Sequence, residues 1–160
     1  MTKKFLSILA VVALISSPLF AADISITAAN VVPSSSARLS SYTAGVTITA
    51  GQTLYLDTVS GTVKLAKANL ASPANTILGI AASNASANQP IIVITYDPSL
   101  TVGGTVNAGT VVWLSVVNAG GLSSTTADDV SGGTMTRIVL GVGLTGNKLF
   151  FSPVAGGNIP

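Results

Sequence analysis

Gly141-Val142-Gly143-Leu144-Thr145-Gly146 spells G-x-G-x-x-G, the spacing that lets a backbone turn approach the pyrophosphate of a dinucleotide. That chemistry requires a strand before the glycines, a helix after them and an acidic residue about twenty positions on. Here the strand-like stretch NKLFFSPV (residues 147–154) follows, and the sequence stops at Pro160. The glycines are therefore expected to form a hairpin. Asp128-Asp129, with Asp57 and Asp97, are the carboxylates of the β-rich part of the chain. A calcium site takes six or more oxygens, so two adjacent aspartates in a Gly-Ser loop are expected to be a solvated turn. With no histidine, cysteine or glutamate in the sequence, Ser-His-Asp and Cys-His catalysis are excluded for want of a base or a thiol. A Ser–Lys pair stays open, although nothing singles one out. Asn84-Ala85-Ser86 matches the N-glycosylation pattern and is read as a polar turn. No catalytic, cofactor-binding or metal-binding residue is nominated, no cofactor is expected, and the chain is read as a non-enzyme.

The elements that carry these residues read as strands. Val46 and Ile48 alternate with threonines, and Leu54 and Leu56 alternate with Thr53, Tyr55 and Asp57. Period two with β-branched enrichment is a strand signal. TILGIAAS (76–83) and PIIVITY (90–96) are denser apolar runs that suit strands covered on both faces. Turn residues recur every 8–12 positions or so, which suggests a sandwich or barrel. Only residues 64–75 could hold a helical turn, which Pro73 would end.

The chain also repeats itself. AGQTLYL (50–56) returns as AGTVVWL (108–114), an offset of 58 that carries Gly45 to Gly103 and Tyr55 to Trp113. Leu78-Gly79-Ile80-Ala81 matches Leu140-Gly141-Val142-Gly143 at an offset of 62, which implies a four-residue insertion near residues 125–133. IIVITYDP (91–98) corresponds loosely to KLFFSP (148–153). Two copies of a unit that cannot bury its apolar face alone are expected to share one core, with Leu54, Leu56, Ile80, Val112, Leu114 and Val142 facing inward. Tyr55 and Trp113, at one repeat position, are expected to pack or sit at a rim.

The N-terminus has a different grammar. Two lysines, an apolar run from Phe5 to Ile15, Ser16-Ser17-Pro18 and the small residues Ala21 and Ala22 follow the order of a secretory signal peptide. Cleavage after Ala21 is the expectation; an uncleaved anchor over residues 5–22 and an arm packed into an assembly are the rivals, the first giving the only membrane contact foreseen. Domain organisation is then a signal-peptide-like segment 1–22, an extended arm or linker 23–45 and a β-domain 46–154 of two repeats (about 45–98 and 103–154). A short tail, 155–160, ends it. Within the arm Ile24 and Ile26 suggest a brief strand, and Pro33 to Ser36 a loop.

A calculated pI near 9.2 does not indicate nucleic acid. Lys3 and Lys4 lie in the leader, the other basic residues are scattered, and removal of residues 1–21 leaves five basic against five acidic side chains. A phosphate-binding surface needs a clustered basic footprint.

The β-rich residues, from AGQTLYLDTVSGTVKLAKAN through ILGIAASNASANQPIIVIT to AGTVVWLSVVNAGGLSS and VLGVGLTGNKLFFSP, resemble the small β-rich capsid decoration (cement) proteins of tailed bacteriophages. The similarity covers about residues 44–153 and consists of strand and turn patterns. It implies an all-β virion protein on the outer capsid surface that bridges major-capsid subunits, commonly as a trimer. The secretion-like N-terminus departs from that family. It keeps open a second expectation, a secreted or cell-surface structural or adhesion protein.

Overall fold

Valine, isoleucine and threonine alternating with small polar residues favour the pleated ribbon, and the computed structural model, which describes residues 23–68, 76–124 and 138–153, is all-β. After one 3-10 turn at Ala28–Asn30 come β1 (Val31–Val32), β2 (Arg38–Thr43), β3 (Thr53–Asp57), β4 (Thr62–Leu65) and β5 (Gly79–Ala81). The long β6 (Pro90–Val102) leads into β7 (Val111–Leu114), β8 (Leu122–Ser123), β9 (Val139–Leu144) and β10 (Lys148–Phe151). All pair antiparallel in the order β4-β3-β5-β6-β10-β9-β7-β8, and β1 and β2 also pair with β6. The sheet is strongly curled.

The repeat read from the sequence is present as a repeat of pairings. Leu54 stands opposite Gly79 as Val112 stands opposite Gly141. Ile80 meets Ile94 as Val142 meets Phe150. The Gly51 amide donates to Ala81 O and the Gly109 amide to Gly143 O, each at 2.8 Å. Gly51 and Gly109 have φ of +90° and +80°, a left-handed turn that a side chain would strain. The units are larger than expected. Unit one is β2 to β5 with the first half of β6; unit two is the second half of β6 with β7 to β10. Residues 99–102, expected to separate the repeats, are continuous strand inside β6.

Residues 23–45 are not a free arm. β2 pairs with β6 from Arg38↔Tyr96 to Thr43↔Pro90, after which Ala44 bridges Val63 and the Gly45 amide donates to Val63 O (2.8 Å), closing unit one into a small barrel. At the matching place in unit two, residues 23–27 are interposed. Asp23 bridges Ser123, the Ile24 amide donates to Leu122 O (2.7 Å), and the Thr27 amide donates to Gly103 O (2.9 Å). The brief strand expected at Ile24 and Ile26 is thus a closing strip without regular strand of its own, with Ile24 buried and Ile26 packed against the core. Val46 and Ile48 likewise form no strand, and Ile48 makes a single bridge to Ala85. Residues 1–22, 69–75, 125–137 and 154–160 lie outside the described residues, and with them the leader-like segment, most of the candidate helical turn, Asp128-Asp129 and the tail.

Two apolar clusters fill the fold. Unit one encloses Ala44, Ile48, Leu54, Val63, Ala81, Ile91 and Val93. The larger cluster joins Ile80, Ile94, Ala66 and Ala68 of unit one to Leu100, Val112, Leu114, Leu122, Leu140, Leu149 and Phe151 of unit two. Unit one therefore buries both faces, one in its own barrel and one against its neighbour. Each fully buried aliphatic side chain contributes about 1.5–3 kcal/mol relative to exposure. Of the residues expected inside, Leu54, Ile80, Val112 and Leu114 are buried and Leu56 is half-buried. Val142 is the exception, 39% exposed.

The reason lies in its neighbours. A Cβ on Gly141 would collide with Phe150 O, and one on Gly143 with Asn107 O. At these two positions the inner face of β9 is so crowded that only glycine fits, and the valine between them turns outward. Replacing Gly141 by valine should cost about 2–3 kcal/mol in urea unfolding through forced overpacking, and an unchanged midpoint would contradict the close approach. Deleting residues 23–43 should abolish the cooperative transition followed by Trp113 fluorescence. A truncated chain that unfolds with the original midpoint would return those residues to the status of a linker.

Candidate functional site

The motifs that invited chemistry are occupied by structure. Gly141–Gly146 runs along β9 into the 145–147 turn and back along β10, with Gly146 and Asn147 left-handed at φ +76° and +58°. This strand-turn-strand lacks the helix that a pyrophosphate cradle requires. Asn84 accepts a hydrogen bond from the Ala50 amide through Oδ1 at 2.8 Å, and Asn84-Ala85-Ser86 is not the turn expected of it, because Ala85 bridges Ile48 antiparallel and the turn follows at residues 87–88. Asp97 is buried at the end of the β2-paired half of β6, where its carboxylate accepts from the Ser34 amide, the Ser34 hydroxyl and the Ser99 amide. It sits where the β6–β10 register slips, opposite Phe151. A buried carboxylate served by three donors is a structural anchor for the 33–37 loop. Among the described residues no three of His, Cys, Asp and Glu gather where they could hold a metal ion.

The one ion pair among the described residues joins Lys64 Nζ to Asp57 Oδ2 at 2.6 Å across the β3–β4 hairpin. The Lys64 hydrogen bond, the Val59 amide and the Ser60 hydroxyl hold the Asp57 carboxyl well below the usual carboxylate range. The same carboxylate pushes the Lys64 ammonium up. A serine–lysine pair needs the reverse, a lysine that surrenders its proton near neutrality. Ser60, the serine nearest in the hairpin, donates to Asp57 and is thereby turned from any such role.

What remains is a surface. On β7, β9 and β10 the cross-strand row Val111–Val142–Phe150 lies on the outer face. Val142 and Phe150 are each 39% exposed. Tyr96 meets Phe150 edge to face, with ring centroids 6.0 Å apart, and the Arg38 guanidinium lies 5.4 Å from the Tyr96 ring centroid. Lys148, two positions before Phe150, projects from the same face of β10 and is exposed. Half-buried Trp113 continues the face along β7, opposite Val139 and Ser123. The equivalent row in unit one is Thr53–Ile80–Ile94, and none of the three is more than 1% exposed. The same pairing thus yields one covered row and one open row. Tyr55, the counterpart of Trp113, packs against the shared core. The repeat alignment located these positions, but period two alone assigned Val142 to the inside. The missed signal is Gly-x-Gly flanking it, which marks the crowded side.

Comparison of the chain with family models, with curated proteins and with solved structures finds no match.

The hairpin ion pair yields a pH expectation. Asp57 has a folded pKa below its unfolded value, so its contribution to stability is complete above about pH 4 and is lost as pH falls through the folded value. Asp57→Asn should therefore be less stable than the parent at pH 7, by a small margin since the pair is partly solvated. In acid the two urea midpoints should converge. A gap that stays constant from pH 7 to pH 2 would assign the loss to the Val59 and Ser60 contacts.

Proposed function

We propose that this chain is a structural virion protein that decorates a phage capsid and stabilises it by bridging major-capsid subunits, working as a trimer. The observation that carries this reading is the open Val111–Val142–Phe150 row with its Tyr96 and Trp113 flanks, a face whose twin inside the same chain is fully covered. Leaving such a row in water forgoes the apolar burial that its twin gains. Aromatic side chains ringed by cations are also the composition of a binding hot spot. Lys148 and Arg38 at the rim favour a partner patch that is apolar in the middle and acidic at its border. The resemblance of residues 44–153 to capsid decoration proteins supports the same choice of partner.

The second reading, a secreted or surface-exposed structural or adhesion protein, is favoured by one feature, the leader-like order of residues 1–22. Both readings use the apolar face, and they differ in what meets it.

Phe150→Lys combined with Val142→Asp should leave the unfolding midpoint within about 0.5 kcal/mol of the parent, because both side chains face outward. Co-sedimentation with purified particles should then weaken by at least tenfold, about 1.4 kcal/mol. Undiminished particle binding by the double variant would remove this face from the interface, and a sedimentation velocity mass of a monomer on the particle-free protein would remove the trimer.

A further inference from the structure

Among the described residues β2 has one strand neighbour, β6, and its second edge is open. The direction of its backbone groups is fixed at its end. Ala44 donates to Gln89 O (2.9 Å) and accepts from the Asn88 amide (2.7 Å). By period two, Tyr42 and Ser40 also turn their amides and carbonyls to β6, so those of Ser41 and Leu39 point away from it. Beyond Thr43 the same edge is taken, because the Gly45 amide donates to Val63 O. The free stretch is therefore Arg38 to Tyr42, with Ser40 at its centre. The usual protections of an edge are missing: the strand has no proline and no lysine, and its register slip lies on the β6 side. Two aliphatic side chains stand in water on the outer face beside this edge, Leu39 at 52% and Ile92 at 38% exposed. Ser40 and Tyr42 lie on the opposite face, with Val93 and Ile91 of the unit-one core.

We propose that this edge pairs with the same edge of a second copy of the chain, β2 antiparallel to β2 across a twofold axis at Ser40. The register follows from which groups are free. Leu39 and Ser41 form hydrogen-bonded pairs with the partner's Ser41 and the partner's Leu39, which uses every amide and carbonyl that the two residues aim outward. Ser40 faces the partner's Ser40 in the close, non-hydrogen-bonded position, where a small side chain fits. Arg38, the one charge of the strand, stands opposite the partner's Tyr42, so the two guanidinium groups sit at opposite ends of the junction. On the outer face Leu39 comes diagonal to the partner's Leu39, at a backbone separation of about 7–8 Å, and each shields the other from water. These features favour a second copy as the occupant. A foreign strand laid on β2 would carry a new open edge outward, whereas an identical edge leaves none. This inference goes beyond the capsid reading and does not rest on it. In a trimer, a twofold junction of this kind joins one trimer to the next.

The chain has no cysteine, so Ser40→Cys places a single thiol at the axis. Non-hydrogen-bonded antiparallel pairs stand about 4.5 Å apart between Cα atoms, inside the disulfide range of about 4.4–6.8 Å. Mild oxidation of the full chain should yield a covalent dimer on a non-reducing gel, about tenfold faster than with Ser35→Cys, an exposed position off the junction. Leu39→Lys on the same background should slow the cross-link about tenfold, since a lysine on an edge opposes pairing. Amide exchange decides the matter if Ser40→Cys does not fold. At about 1 mM the Ser41 amide should exchange about tenfold more slowly in the parent than in the Leu39→Lys variant, with the Tyr42 amide, bound to β6, little changed. Cross-linking of Ser40→Cys no faster than that of Ser35→Cys, or equal Ser41 exchange in parent and variant, would overturn the proposal. Neither result bears on particle binding by the Phe150 face.

Discussion

A strand has two edges, and β6 spends both of them twice. Its first half holds β5 and β2, its second half β10 and β1. Val93 is paired to Ala81 and Ser40 together, and Thr101 to Lys148 and Val32 together. Thirteen residues therefore serve as the last strand of one unit and the first strand of the next. Everything that distinguishes the two units follows from this fusion. Because the halves share a strand, unit one turns its Ile80–Ile94 row onto unit two, whereas the equivalent row of unit two keeps Val142 and Phe150 exposed.

The sequence disclosed the architecture unevenly, and the reasons are physical. Alternation and turn residues located β3, β4, β6, β7, β9 and β10, because a half-buried strand writes its burial into every second residue. The repeat offsets matched Leu54 to Val112 and Gly79 to Gly141, and in the structure each leucine or valine stands opposite its own unit's glycine, since glycine is demanded where two backbones approach so closely. The polar stretch before Gly45 was misjudged. β2 reads RLSSYT and shows little apolar content because Ser41, Leu39 and Arg38 are exposed, so its membership in the sheet rests on backbone pairing, which leaves no mark on side-chain type. Val142 was misjudged for the opposite reason. A valine in strand period announces burial, yet the empty glycine side of β9 was the tighter one.

The candidate surface was legible in its residues and illegible in its exposure. Tyr55 and Trp113 could be matched by eye, but only the packing shows that one faces a core and the other a rim. The low charge density of the chain has a bearing here, because a surface with few ionic groups offers little electrostatic resistance to close approach by a partner. Two of the cations sit at structural posts, Lys64 on Asp57 and Arg38 on Tyr96.

The closing strip at residues 23–27 has a consequence for the order of events during synthesis. Its partners Leu122 and Ser123 lie almost a hundred positions downstream, while the barrel of unit one needs nothing beyond β6 for its pairings and its apolar filling. Chains emerge from the ribosome at about 5–20 residues per second, so unit one can close while unit two is still being made. Residues 23–27 must then wait several seconds for a berth. The first of the described residues to be made are among the last to find their place, and they carry contacts of very long sequence separation.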